Sequence, residues 1–275
     1  MKKIIIDERM RQIEKEKIKE LGYEIIEIKK SNKVYEEISS HVDIFVCKTE
    51  KNIIIEPSQF YNIKDKLQDK NKQLVKGNEE IEIKYPYDIK YNVCTIGKKA
   101  FHNFEYTDSK LKEELIKQGY ELMNTTQGYT NCSIAVIDEN SAIVTDKGLY
   151  KILKKYNIDA LYLEYEPDIK LLNAEKYSNL NGFIGGAISR IGDKIIIFGD
   201  LKKIDMNGTM RKFISQRGLD IIEFKKLDVI DYGGIVEINW ANTKSEKSNK
   251  IFERGRKNGY SWRIKRCNKR IASKK

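Results

Sequence analysis

The sequence predicts an α/β chain of five strand–helix–strand–strand repeats arranged as a five-fold propeller, and three observations lead there. First, one pattern recurs as Leu21-Gly-Tyr-Glu-Ile-Ile-Glu, Gln118-Gly-Tyr-Glu-Leu-Met-Asn and Arg217-Gly-Leu-Asp-Ile-Ile-Glu. Second, β-rich runs come in pairs around polar turns: Val42–Cys47 with Asn52–Ile55, Ser133–Ile137 with Ala142–Val144, and Ala187–Ile191 with Lys194–Phe198. Third, no unit of this kind can bury its own apolar face, so five of them close most economically into a ring with strands inside and helices outside.

Each element has a local reason. Met10, Ile13, Ile18 and Leu21, then Leu111, Leu115 and Ile116, then Met210, Phe213 and Ile214 fall at helical spacing ahead of the repeated glycine. Gly22, Gly119 and Gly218 end those helices, since glycine enters the left-handed region cheaply. Tyr156-Asn157 replaces the glycine stop in the fourth repeat, and Pro57 opens the helix of the second. The repeats run approximately over 3–48, 52–97, 98–138, 141–192 and 194–240. A doubly wound parallel sheet also alternates strands and helices, but it lacks the antiparallel hairpin that joins each unit to the next.

Charge divides the chain differently. Residues 243–275 carry thirteen Lys/Arg against Glu246 and Glu253, which equals the net charge of +11 for all 275 residues, so the preceding body is balanced. This predicts a folded domain over 1–242 and a basic tail over 243–275. With Phe252, Tyr260 and Trp262 among its charges, the tail suits RNA or another polyanion, and a solvated extension is the plainer expectation. No run approaches the roughly 20 apolar residues of a membrane helix, and the opening Lys2-Lys3-Ile4-Ile5-Ile6 stops at Asp7 without a cleavage site. Cys47, Cys94, Cys132 and Cys267 are too scattered for a zinc site or a disulfide scaffold. A cytoplasmic protein with free thiols and no cofactor or metal is the expectation; oligomeric state is not legible.

The segments preceding the third strands hold the candidate chemistry. They read Ser40-His41-Val42-Asp43, Tyr91-Asn92-Val93-Cys94, Thr130-Asn131-Cys132, Asn181-Gly182-Phe183-Ile184-Gly185-Gly186 and Asp231-Tyr232-Gly233-Gly234. This arrangement resembles the guanidino-group-modifying enzymes of the pentein fold, which include arginine and agmatine deiminases, dimethylarginine hydrolases and amidinotransferases. His41-Val42-Asp43 resembles that family's His-x-Asp motif, Asp231-Tyr232-Gly233-Gly234 its Glu-Gly-Gly motif, and Cys132 its nucleophile. The resemblance covers residues 3–240. Around a closed ring the three elements keep the family's order if this chain is circularly permuted relative to the deiminases. It departs from the family in having no body cysteine after Cys132, in the shorter and interrupted Asp231 motif, and in lacking a first-repeat aspartate cluster unless Asp200 serves.

The resemblance implies a cysteine-dependent hydrolase or group transferase acting on a small guanidino or amidine compound. Cys132, His41 and Asp43 would be catalytic, and Asp231, Asn131, Gly233, Gly234 and Asn181 would bind substrate. The residue types suit that chemistry: a thiolate attacks the guanidinium carbon, an imidazole shuttles protons near neutral pH, and carboxylates pin the planar cation. Plainer expectations stand beside each. Cys132 opens an apolar strand and could be inert, Cys94 is the next candidate nucleophile, Cys47 is structural, and His102 has a loop role or lines the pocket. A non-catalytic binding protein of the same fold, with its tail on a polyanion, is the alternative.

Overall fold

The computed structural model describes residues 2–66, 73–173 and 180–238. The tail expected over 243–275 lies outside them, as does Cys267.

The three-stranded sheets share one construction, each taking its two parallel strands from one repeat and its antiparallel strand from the repeat before it around the chain. In the first repeat, β1 (Lys2–Asp7) leads to α1 (Gln12–Glu20) and returns as β2 (Tyr23–Ile28), parallel to β1. The chain then passes through a helical turn, α2 (Val42–Phe45), into β3 (Val46–Lys48), which hairpins onto β4 (Asn52–Ile55). The second repeat continues with α3 (Pro57–Lys64), β5 (Gln73–Lys76) and β6 (Cys94–Ile96), and the third with β7 (Lys99–His102), α4 (Ser109–Lys117) and β8 (Glu121–Asn124). A second helical turn, α5 (Thr130–Ser133), precedes β9 (Ile134–Asp138). The fourth repeat holds β10 (Ser141–Val144), α6 (Lys147–Lys155), β11 (Asp159–Tyr162), the extra strand β12 (Ile169–Leu171), the turn α7 (Ile184–Ala187) and β13 (Ile188–Ile191). The fifth holds β14 (Lys194–Ile197), α8 (Thr209–Ser215), β15 (Asp220–Ile222) and β16 (Val229–Asp231), and β17 (Val236–Glu237) pairs antiparallel with β1.

Helix boundaries have visible causes. Asp108 and Asp146 accept hydrogen bonds from the Leu111 and Leu149 amides at 2.8 and 2.7 Å, and Glu56 caps the proline-led α3. At the stops, Gly22, Gly119 and Gly218 have φ of 87°, 73° and 68°, and Asn157 takes the same role at 59°. The expected apolar faces hold at Ile18, Leu111, Leu115, Met210 and Ile214, all fully buried. Ile13 and Ile116 depart from them, being 54% and 59% exposed.

Apolar clusters link successive repeats. One joins Ile26, Ile54, Ala100 and Leu111; another joins Cys94, Phe101, Ile134 and Leu149; a third joins Ile137, Ile143, Ile195 and Ile214. The last returns to the start, with Ile196 and Phe198 packed among Ile4, Ile6 and Ile18. The strands form separate sheets, not one continuous sheet.

Two expectations need correction: that the β-rich run begins at Val42, and that Cys132 opens its strand. Val42–Phe45, Thr130–Ser133 and Ile184–Ala187 are helical turns, so the third strands begin at Val46, Ile134 and Ile188, and Cys132 lies before its strand instead of opening it. The pairing of β12 with β16, which carries Asp231 at its end, was absent from the sequence reading.

A buried thiol, imidazole and carboxylate cluster

The helical turns deliver their side chains to one place. The α2 backbone is held by the fifth repeat, since the Val42 and Asp43 amides donate to the Tyr232 and Gly233 carbonyls at 3.4 and 3.2 Å. Gly233 and Gly234 both have φ of 68°, and a Cβ on Gly233 would lie 2.5 Å from Asp43 Oδ1 and 2.6 Å from His41 Cβ. On the other side, α7 presses on α5 so closely that a Cβ on Gly185 would meet the Asn131 carbonyl at 2.2 Å. Asp231 takes the amides of Phe183 and Gly233 at 2.8 Å each, with Gly186 packed against its carboxylate.

The result is two adjoining pairs. Cys132 Sγ donates to Asp43 Oδ2 at 2.8 Å, and His41 Nδ1 stands 3.7 Å from Asp231 Oδ1. All four residues are at most 3% exposed. Among the described residues neither His41 nitrogen nor Asp43 Oδ1 has a hydrogen-bond partner, an expensive condition for buried polar atoms. Behind His41, Asp7 accepts from Ser40 Oγ at 2.7 Å and from Arg9 Nη2 at 2.7 Å.

Burial sets the electrostatics. It raises the Asp43 carboxyl to about 6, against the hydrogen bond from Cys132. It also raises Asp231, against the attraction of His41, and lowers the His41 imidazole despite Asp231 and Asp7. The Cys132 thiol is pushed well above its ordinary range by burial and by the Asp43 and Asp231 charges, while Asn92 pulls it down. Asp7 behaves oppositely to the other carboxyls: burial would raise it, but hydrogen bonding and charge from Arg9 hold it low. A sulfur this close to a carboxylate rests as a thiol, and a neutral imidazole does not hold it as a thiolate. A planar cation entering between the pairs would favour the ionised carboxylates and the thiolate.

The other sequence candidates separate clearly. Asn131 reaches the cluster through its backbone amide, which donates to Asn92 Oδ1 at 2.8 Å, and Gly233 and Gly234 form its wall. Asn181 does not join: it is exposed and forms an isolated bridge with Lys170. Cys47 and Cys94 belong to apolar clusters, and burial pushes the Cys47 thiol up to about 12. His102 is held by Thr107 at 2.7 Å and lowered to about 4 by burial, a structural setting. Asp200 caps a neighbouring turn through the Lys202 and Lys226 amides. Sequence reasoning missed Asn92, Asp7 and Arg9; only the repeat phase, which put Asn92 in the second repeat's segment, pointed toward any of them. Among the described residues no cluster of three or more potential ligands could hold a metal, and no helix is long and apolar enough to cross a membrane.

A family model described as "Family of unknown function (DUF6873)" matches residues 5–236, so the chain belongs to that family. No curated protein sequence matches it. Among solved structures, it is similar to an amidinotransferase from Microseira wollei in the saxitoxin biosynthetic pathway, 11% identical, with 88% of this chain and 95% of that chain covered and a TM-score of 0.51. It is likewise similar to a dimethylarginine dimethylaminohydrolase adduct with S-methyl-L-thiocitrulline, 12% identical, with 82% and 92% covered and a TM-score of 0.50. Identities this low show a shared fold, the mixed α/β pentein fold of guanidino-group-modifying enzymes.

Proposed function

We propose that this member of the DUF6873 family is a guanidino- or amidine-modifying enzyme that uses Cys132 as its nucleophile. The observation that carries the reading is the pairing of Cys132 with Asp43 at 2.8 Å beside the pairing of His41 with Asp231 at 3.7 Å. In this reading the five sheets are blades of a five-fold propeller over residues 1–242, circularly permuted in its functional elements, and the protein acts in the cytoplasm. The substrate cation lies against Asp43 and Asp231, and its charge offsets the two carboxylates that keep the thiol protonated. The thiolate adds to the guanidinium carbon, the proton given up by the Cys132 thiol is passed through His41 to the departing amine, and the neutral His41 then takes a proton from water or a second amine to release the product. Because the four groups are buried, the surrounding loops part to admit substrate.

The test is incubation with arginine, agmatine, methylated arginines and simple amidines, with released ammonia or amine measured for the protein and for Cys132→Ser. Release that disappears in Cys132→Ser is the expected result. Absence of release from the whole panel, together with no protection of Cys132 by any of these compounds, would overturn the reading.

One observation favours a second reading. Exposure of at most 3% across the cluster is what a polar core holding loops together would show, and it suits a non-catalytic binding protein of the same fold. In that case the tail over 243–275 supplies affinity for RNA or another polyanion. Salt-sensitive binding lost on deleting that tail, with no turnover, would select this reading.

A further inference from the structure

Asn92 is fully buried and carries more of the cluster's hydrogen bonding than any residue singled out from the sequence. Its Oδ1 accepts the Asn131 amide at 2.8 Å and the Cys132 amide at 3.3 Å. Two backbone donors on one atom fix which end of the side-chain amide is oxygen. Nδ2 therefore faces the other way, donating to Cys132 Sγ at 3.0 Å and to the Asp43 carbonyl at 3.2 Å. A sulfur that already receives an N–H on one side directs its own hydrogen elsewhere, and the acceptor present is Asp43 Oδ2 at 2.8 Å.

We propose that Asn92 is a catalytic hydrogen-bond donor to the Cys132 sulfur, and that it aims the thiol proton at Asp43, making Asp43 the base that generates the thiolate. This rests on the reading of Cys132 as the nucleophile. In the step, the S–H bond of Cys132 breaks and an O–H bond forms on Asp43 Oδ2. The electron pair stays on sulfur, the negative charge moves from carboxylate to sulfur, and the total charge is unchanged. The Asn92 N–H then stabilises the anion it was already touching, without reorganisation. His41 is left free for the leaving amine and water, which accounts for a histidine paired with Asp231 and not with sulfur. The charged groups facing Asp43 are Cys132, Asp231 and Asp7.

The measurement is the rate of Cys132 alkylation by iodoacetamide as a function of pH, which reports the thiolate without needing turnover. Asn92→Asp is the decisive variant, because it keeps an oxygen for the Asn131 and Cys132 amides and replaces only the donor by an anion. It should slow labelling at pH 7 by about tenfold or more and move the midpoint of the profile up by at least about one unit, while far-ultraviolet circular dichroism is unchanged. Asn92→Ala should shift the midpoint in the same direction by less. A folded Asn92→Asp protein with the profile of the unaltered chain would overturn the proposal. If Asn92 shifts the profile but no guanidino compound turns over, the donor role stands and the substrate reading fails.

Discussion

Cys94 and Cys132 stand in corresponding segments of neighbouring repeats, yet their surroundings are opposite. Cys94 opens its strand and is packed with Ile96, Phe101, Ile134 and Ala142. Cys132 is set back in a helical turn, where its sulfur meets the Asp43 carboxylate and the Asn92 amide. One repeat position thus serves as core in one copy and as a polar centre in the next. What differs is how far the residue stands from the start of its strand.

The largest effect should come from exchanging the roles of these two thiols. Cys132→Ser should remove essentially all labelling of the folded protein by a haloacetamidine, a cationic reagent shaped like a guanidinium head group, whereas Cys94→Ser should leave that labelling intact. Cys94→Ser should instead cost about 1–3 kcal/mol in urea unfolding, because it buries a hydroxyl among apolar side chains. Labelling that vanishes with Cys94 would erase the distinction between the two positions.

Asp43→Asn sharpens the comparison through stability. The folded-state Asp43 carboxyl is raised to about 6 from an unfolded value of 3.8. Its contribution to stability is fully present below pH 3.8 and is lost as pH rises through about 6. The ionised group therefore costs the folded protein on the order of 1–3 kcal/mol at pH 7. Asp43→Asn should raise the unfolding temperature at pH 7 and do little at pH 4. Destabilisation of the same size at both pH values would show that the carboxylate is there for structure.

The smallest effect should come from His41→Ala. Burial keeps this imidazole neutral near pH 7, so its removal should change Cys132 labelling only a few-fold while strongly impairing any turnover. A large loss of labelling would mean that a cationic His41 holds the thiolate.

The recurring strand–helix–strand units and their hairpin junctions were legible because their punctuation is local. Gly22, Gly119 and Gly218 mark stops that few other residues adopt, and the polar turns between β-rich runs mark hairpins. Convergence of His41, Asp43, Cys132 and Asp231 was reached through the family resemblance, and the structure brings those four together. The helical turns were not legible. Val42-Asp43-Ile44-Phe45-Val46-Cys47 reads as one apolar strand, and its first four residues coil because the Tyr232 and Gly233 carbonyls capture two of its amides. Asn92 was hidden for a related reason: an asparagine in a loop is ordinary in sequence, and only the approach of α5 and α2 gives its side chain four hydrogen bonds. Asn181 was chosen by repeat phase alone, but in the fourth repeat it is Gly182, Gly185 and Gly186 that touch the site, through their lack of a side chain.

The antiparallel pairing of β17 with β1 has a consequence for the timing of synthesis. Ile4 and Ile5 find Glu237 and Val236 as partners, and α2 is clasped by Tyr232 and Gly233. A growing chain can assemble each helix with its own strands as it emerges, because those contacts are close in sequence. The thiol, imidazole and first carboxylate are all made by residue 132, yet the second carboxylate and the glycine wall are among the last body residues to leave the ribosome. Until then the nascent chain carries an unmatched strand and an incomplete cluster, which is completed only when its first strand gains its final neighbour.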